Sequence, residues 1–508
     1  MNELKAGVLI NYTSTAIRLA TSFFLTPFTI HKLGIEEFGL FSLSGSVIAW
    51  LALTDLGLGA TVYRYVTAFR ARKEAERQAN FLGQAMMLFS VLGLVTLVAG
   101  LVCFFYLDSL FPNLTEHQMG VLQVLYLLTL GNMVLSFPLR PLGCIPGAYL
   151  CFIVPGVMNL TASLLNTGLT VLLLTLGFKA IGLTVMSVAL GVVNLVAGLV
   201  YSFKFLGVRV VFHRPDLGLY AEMFRFSFWV LLNQLMDLFY WRAGAPIVAR
   251  LEGAAAVSLF TLGTSFATYF MTASISISSV LSPKLMQMVA LETDRESLTD
   301  MMIRAGRAQF IVLFIIMAGF TAIGHDFLAL WVGKTLGDDD VTTVWLGALC
   351  VLVPLFVPLT QNVGISLLQA MNIHKGRAVI LFYSSLVCVV CGYIMTTFWG
   401  ALGMFIGTGV SLAFGQCIMI NLYYQRRAGL NIPRFFRETY LPALLPVLLL
   451  LALGGGIAWL WPIANWTDFL LAAGVYGSVC ALVLFFFYLR REEREMFIGP
   501  LRRFLPGR

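Results

Sequence analysis

Four ionisable residues sit inside long apolar runs of this chain: Arg18, Asp55, Asp237 and Arg242. A charge at the centre of a bilayer-spanning helix costs about 2.5–3.5 kcal/mol on insertion scales, so it faces a protein interior or a wet cavity. Two chemistries fit. One is structural ion pairing between packed helices; the other is a polar cavity that binds a charged ligand. Asp237 and Arg242 are five positions apart, roughly 140° around a helix, so each needs a partner elsewhere. Polar neighbours extend the pattern. Asn11, Thr15, Arg18 and Ser22 form one helical stripe, and Asn233, Asp237 and Tyr240 form another. Hydrogen bonding between helices accounts for Asn and Ser well, and for an arginine less well.

The elements that position these residues follow from composition. The chain has 508 residues, 59% hydrophobic and 11% charged, against about 25% charged in a soluble domain. Its mean hydropathy is +0.88. This is the composition of an all-α integral membrane protein. The net charge of +8 is dispersed between apolar runs, which excludes a nucleic-acid surface. A bilayer core takes roughly 20 helical residues. That template predicts about fourteen spans: 8–30, 38–62, 82–107, 117–138, 152–176, 181–203, 224–249, 255–282, 306–324, 341–367, 376–398, 401–424, 439–461 and 467–489. Pro141, Pro146 and Pro155 mark a loop or broken helix between the fourth and fifth. The stretch 325–333 reads as an interfacial helix anchored by Trp331.

Basic residues set the orientation. Of 33 lysines and arginines, Arg18 and Arg242 lie within spans, and only Lys32, Lys179, Arg250 and Lys334 fall on the outer side. The positive-inside rule then puts both termini in the cytoplasm. The first span lacks a cleavage site and reads as a retained signal-anchor.

The chain also repeats itself. Pro27–Ser46 and Pro246–Ser265 share Pro27/Pro246, Gly34/Gly253, Leu40/Leu259, Phe41/Phe260, Leu43/Leu262 and Ser46/Ser265 at an offset of 219. FKAIGLTVMS (178–187) echoes WGALGMFIGT (399–408). Spans 1–6 therefore match spans 7–12 as two parallel six-helix repeats, with two C-terminal helices outside them. The expected domains are a lobe at 1–205, a cytoplasmic linker at 206–223, a lobe at 224–425, and helices 13–14 with a basic tail at 426–508. Arg18 and Asp237 occupy equivalent positions and are expected to approach each other if their helices line a central cavity. Pro27 and Pro246 are expected to bend the outer ends of spans 1 and 7. The glycines favour close helix packing.

No catalytic constellation stands out. None of the five histidines has an H-x-x-x-H partner, and there is no P-loop. Cys388 and Cys391 form a C-x-x-C inside an apolar run, where small buried residues fit better than redox or metal chemistry. The expectation is no enzyme, cofactor or metal, with any energy supplied by an ion gradient (Na+ or H+), a membrane potential or metabolic pull.

The strings LGIEEFGLFSLSGS, LTDLGLGATVYRYV, LALWVGK and LLQAMNIHKGRAVI, in this order and spacing, resemble the Wzx-type polysaccharide flippases. These belong to the multidrug/oligosaccharidyl-lipid/polysaccharide exporter superfamily, and the resemblance covers most of the chain. It implies V-shaped lobes around a central cavity, a cell inner (plasma) membrane location, and alternating access that moves an undecaprenyl-pyrophosphate-linked oligosaccharide to the outer leaflet. It implies that Arg18, with Arg242 or Arg64, meets the pyrophosphate as charge-assisted hydrogen bonds, while the polyprenyl tail stays in lipid or runs along helices 13–14. Membrane lipids, a polysaccharide polymerase and glycosyltransferases are the implied partners. A peptidoglycan lipid flippase, a cation-coupled multidrug antiporter using Asp55 or Asp237, and a non-transporting assembly subunit are the competing readings.

Overall fold

The computed structural model describes residues 3–149, 151, 153–291, 293–490 and 493–494. Among them every regular element is helical. Among the described residues eleven segments are long and apolar enough to cross a membrane, against the fourteen spans expected. Two reasons account for the difference. The segment His374–Ala428 runs for 55 residues as one, yet Trp399 (φ −126°) and Gly400 (φ +56°) interrupt it, at the break expected between 398 and 401. The helices in place of the first and seventh spans carry Arg18 and Asp237, whose polarity lowers their hydropathy.

The chain divides into two compact units. The first holds the residues up to Thr261 together with Gly392–Met404; the second holds Leu262–Cys391 and the residues from Phe405 onward.

In the first unit the helices are α1 (Glu3–Leu33), α2 (Ile35–Leu51), α3 (Leu58–Ala71), α4 (Ala75–Phe105), α5 (Glu116–Ser136), α6 (Ile153–Thr175), α7 (Ala180–Val200), α8 (Leu217–Trp241) and α9 (Gly244–Glu252). The helix α10 (Ala254–Ala290) begins here. Sequence signals set the ends. Thr115 and Gln118 form a reciprocal capping box at the start of α5, which satisfies two otherwise orphaned N–H groups. Asp216 caps α8 by accepting from Gly218 and Leu219. Val91, Leu94, Val95, Val98, Leu101, Val102 and Phe105 are exposed along α4. That helical stripe is the face a lipid would cover.

The repeat recurs in the backbone. Gly34 (φ +84°) joins α1 to α2, and Gly253 (φ +87°) joins α9 to α10. Gly34 N–H donates to Ile30 O at 2.8 Å, and Gly253 N–H donates to Ala249 O at 3.1 Å. Only glycine takes this left-handed turn without a Cβ penalty, which is why it survives in both copies. The prolines act unequally. Pro27 lies within a continuous α1. Ahead of Pro246 the helix ends at Trp241 and restarts at Gly244. A proline clashes with the carbonyl four residues earlier, here that of Arg242, and the break falls there.

The core of this unit joins α3, α4 and the end of α5, with Val62, Val66, Phe81, Phe89 and Phe137 at its centre. The proline-rich stretch after α5 is a broken helix: short turns at Phe137–Leu139, Arg140–Gly143 and Ile145–Ala148.

In the second unit α11 (Arg295–Val332) is one helix of 38 residues. The separate interfacial helix expected at 325–333 is its last turns instead, with Trp331 buried. The remaining helices include α12 (Asp338–Thr360), α13 (Ile432–Thr439), α14 (Leu444–Leu460) and α15 (Trp466–Val483). The two C-terminal helices pack against α11. Phe310, Phe314, Phe356, Tyr440 and Tyr488 form an aromatic core around it. Beside them Arg307 is 1% exposed. Its Nε and Nη2 donate to the Glu493 carboxylate, both at 2.8 Å, and its remaining N–H groups reach the carbonyls of Glu438 and Tyr488.

Candidate functional site

Every candidate cavity residue lies in the first unit. Arg18 is exposed on α1, with Ser22 exposed one turn on and Thr15 half-buried between polar and apolar faces. Asn11 also lies in α1; its side chain falls outside the described set. Thr21 and Thr26 turn their hydroxyls back onto the carbonyls of Ile17 and Ser22, so they satisfy themselves within the helix and leave the face to Arg18. Among the described residues no ion pair holds the Arg18 guanidinium. Two side-chain atoms on the same pair of helices, Ser14 Oγ on α1 and Gln234 Oε1 on α8, are buried with no hydrogen-bond partner among those residues. Buried polar atoms are normally paired, so each is a point where water or a ligand group is expected.

On α8, Asn233 is half-buried, Asp237 is exposed and Tyr240 is buried. Arg242 is exposed at the helix end, where its N–H donates to Leu238 O at 2.8 Å. The break made by Pro246 therefore places this arginine at an interruption and not on a regular helical face. Arg64 is exposed on α3.

Asp55 has a partner that the sequence did not suggest. Its Oδ2 accepts from Arg140 Nη1 at 2.9 Å. Asp55 closes the short helical turn Ala52–Asp55, and the left-handed Leu56 and Gly57 that follow turn the chain into α3. Gly57 is required there: its φ is +73°, and a Cβ would come within 2.8 Å of Val230 Cβ. Arg140 is held from the other side by the Phe137 ring, 4.3 Å from its Cζ. Topology alone placed Arg140 in a cytoplasmic connection; the broken helix after α5 sets it beside Asp55. The signal was its position among Pro138, Pro141 and Pro146, where the helix breaks into short turns.

Arg140 also lines a cavity of about 360 Å³ with Ser136, Asn159, Asn194, Tyr201 and Ser202. One cation, two amides and three hydroxyls suit an oxygen-rich ligand such as a sugar or a phosphate ester. At the other end of the unit, Asn113 Nδ2 donates to the carbonyls of Arg250 and Leu251, both at 2.8 Å. The Arg250 guanidinium donates to the carbonyls of Ser109 and Leu110. Ser258 donates to Ile35 O. Gly39 lets Ala254 O approach to where a Cβ would stand 1.9 Å away. The start of the second repeat is thereby tied to the first.

Cys388 is buried against Thr408 Oγ1 at 3.6 Å, the setting of a packing residue and not of a reactive thiol.

Comparison with known proteins returns the same multi-pass helical architecture. The chain is similar in structure to the lipid II flippase MurJ in an inward closed conformation (TM-score 0.73, 13% identity, 98% of this chain and 100% of that one). It is also similar to an inward-facing multidrug resistance MATE family transporter of the MOP superfamily (TM-score 0.63, 15% identity, 85% and 99%). The sequence profile of the polysaccharide biosynthesis protein family matches residues 4–289, and the chain belongs to that family. It is 24% identical over 506 residues to the uncharacterized membrane protein EpsK of Bacillus subtilis (strain 168), across 97% of each chain.

Proposed function

We propose that this protein flips an undecaprenyl-pyrophosphate-linked oligosaccharide from the cytoplasmic to the outer leaflet, by alternating access, for export of an O-antigen, capsule or exopolysaccharide. In this reading residues 1–205 and 224–425 act as two six-helix lobes joined by the linker 206–223, and residues 426–508 add two helices and a tail. Arg18 is the first ligand of the pyrophosphate, with Arg242 or Arg64 as its second, and Asn11, Thr15, Asn233 and Tyr240 supply neutral polar contacts. Asp237 moderates the positive field. A polymerase and glycosyltransferases are the expected working partners.

The observation that carries this reading is Arg18, exposed in the middle of α1 and without an ion pair among the described residues. A dianionic headgroup offsets the cost of that charge, and a planar guanidinium suits a pyrophosphate. Family membership supports a polysaccharide precursor as cargo. Fold similarity to MurJ over nearly the whole chain favours lipid II as the second reading. Asp55 is already paired with Arg140, which weighs against a drug antiporter that uses it as the coupling carboxylate.

The test is Arg18→Gln and Arg18→Lys in a strain that depends on this protein for export. Glutamine should abolish export and leave lipid-linked oligosaccharide on the cytoplasmic side at normal protein abundance, with lysine restoring part of it. Normal export by Arg18→Gln would sink the assignment. Accumulation of peptidoglycan precursor instead would favour the second reading.

A further inference from the structure

The segment between α7 and α8 lies against the start of α4. Val211 N–H donates to Ala79 O at 3.1 Å, and Gly83 leaves room for the Val211 carbonyl, which would stand 1.9 Å from a Cβ. Gln84 Nε2 donates to the carbonyls of His213 (3.3 Å) and Arg214 (2.7 Å). Between this pinned segment, the α3–α4 turn and Tyr149 lies a cavity of about 960 Å³. Its charged lining is Arg70, Lys73 and Arg209 against one carboxylate, Glu76, with the His213 imidazole beside them. Arg70 sits over the Tyr149 ring at 4.3 Å, and Gln78 fixes that tyrosine by donating to its hydroxyl at 2.8 Å. Among the described residues none of Arg70, Lys73, Arg209 and His213 makes an ion pair. The lining includes the first turn of α4, where a helix N-terminus adds positive potential.

Lys73 supplies a second, independent observation. Glu74 N–H donates to Phe69 O (3.0 Å) and Lys73 N–H to Arg70 O (3.1 Å), the paired bonds that close a helix through a left-handed residue. That residue is normally glycine. Here it is Lys73 at φ +59°, strained relative to glycine in a backbone position that asks for no side chain. Strained residues of this kind collect at functional sites. Close in sequence to the lining residues Gly207, Val211 and His213, Phe205 is 70% exposed and Phe212 61%, the kind of exposed aromatic found at the level of lipid headgroups.

We propose that this cavity binds a phosphate group, carried by the headgroup of an anionic membrane lipid, at a site separate from the residues assigned to the transported substrate. The volume holds a headgroup as well as its phosphate, and the exposed phenylalanines favour a lipid over a soluble phosphate ester.

The experiment follows the melting temperature of the full chain in detergent against short-chain phosphatidylglycerol, short-chain phosphatidylcholine and inorganic phosphate, for wild type, Lys73→Gly and Arg209→Gln. Phosphatidylglycerol should stabilise the wild type where phosphatidylcholine does not. Each variant should need about tenfold more of it, the worth of one charge-assisted hydrogen bond. Unliganded Lys73→Gly should melt at or above the wild-type temperature, since glycine relieves the backbone; this separates lost binding from lost fold. Equal stabilisation by inorganic phosphate, with the same sensitivity to the variants, upholds the phosphate site and overturns the lipid as its source. Equal response to the two lipids, or variants that respond like wild type, overturns the site.

Discussion

Replacing Asp55 by Asn removes the charge that faces Arg140 and keeps the shape of the side chain. At 2.9 Å the gross attraction is about 6 kcal/mol at an effective dielectric near 20. Most of that is cancelled, because both groups give up water to meet: Asp55 is 15% and Arg140 32% exposed. Each single variant, Asp55→Asn or Arg140→Gln, should cost about 1–3 kcal/mol, since the stranded partner stays partly buried. Among the described residues, Arg140 would then keep its contact with the Phe137 ring. The double variant strands no charge, and should cost less than the two singles together by about 1 kcal/mol or more. The assay is denaturant or thermal unfolding of the purified protein for all four members of the cycle, with export measured in parallel. Single costs that add to within about 0.3–0.5 kcal/mol would refute the pairing. A double variant that is stable and abundant but inactive would refute the structural role, and return Asp55 to the list of coupling carboxylates.

Arg307→Ala leaves Glu493 and two carbonyls without their donor in a buried place, and should destabilise the second unit by about 3–5 kcal/mol; Arg307→Lys keeps the charge but loses the bidentate fork, and should fall between. Both are read as unfolding free energies. Gly39→Ala puts a methyl 1.9 Å from Ala254 O, so α2 and the start of α10 must separate. An overpacking cost of about 1–3 kcal/mol and reduced export are expected, while Gly45→Ala, which meets nothing within 4 Å, serves as the silent control. Asp294 caps α11 by accepting from the Ser297 N–H and hydroxyl, and those bonds, the backbone one first, hold its pKa below the usual value. A lowered folded pKa means that the cap contributes above the unfolded pKa near 4 and is lost as pH falls through the folded value. Asp294→Asn should therefore flatten the acid limb of the melting curve below about pH 4 and leave neutral pH nearly unchanged.

Much of the fold was legible because the bilayer asks a simple question of each segment. Length and hydropathy mark spans one at a time, and that needs no tertiary contacts. The Gly34/Gly253 repeat was legible for a similar reason: a left-handed turn restricts one residue locally, and the turns in both copies proved to have the same φ. What misled was continuity. A tryptophan-anchored stretch at 325–333 has the composition of an interfacial helix, but nothing local stops α11 before Val332.

Residue type alone found Arg18, since a charge in an apolar run is costly wherever its neighbours lie. Partners are another matter. Asp55 and Arg140 are far apart in sequence and meet only because the broken helical stretch after α5 packs beside the short turn that ends in Asp55. Arg307 looked like one more cytoplasmic basic residue until Glu493, Glu438 and Tyr488 closed around it. The sequence by itself determined the membrane class, the repeat and the expensive charges, because these depend on side-chain transfer energies and local backbone geometry. Which charges are neutralised and which stand open was decided only by tertiary structure, because an ion pair depends on a distance of a few ångströms between segments that the chain order does not bring together.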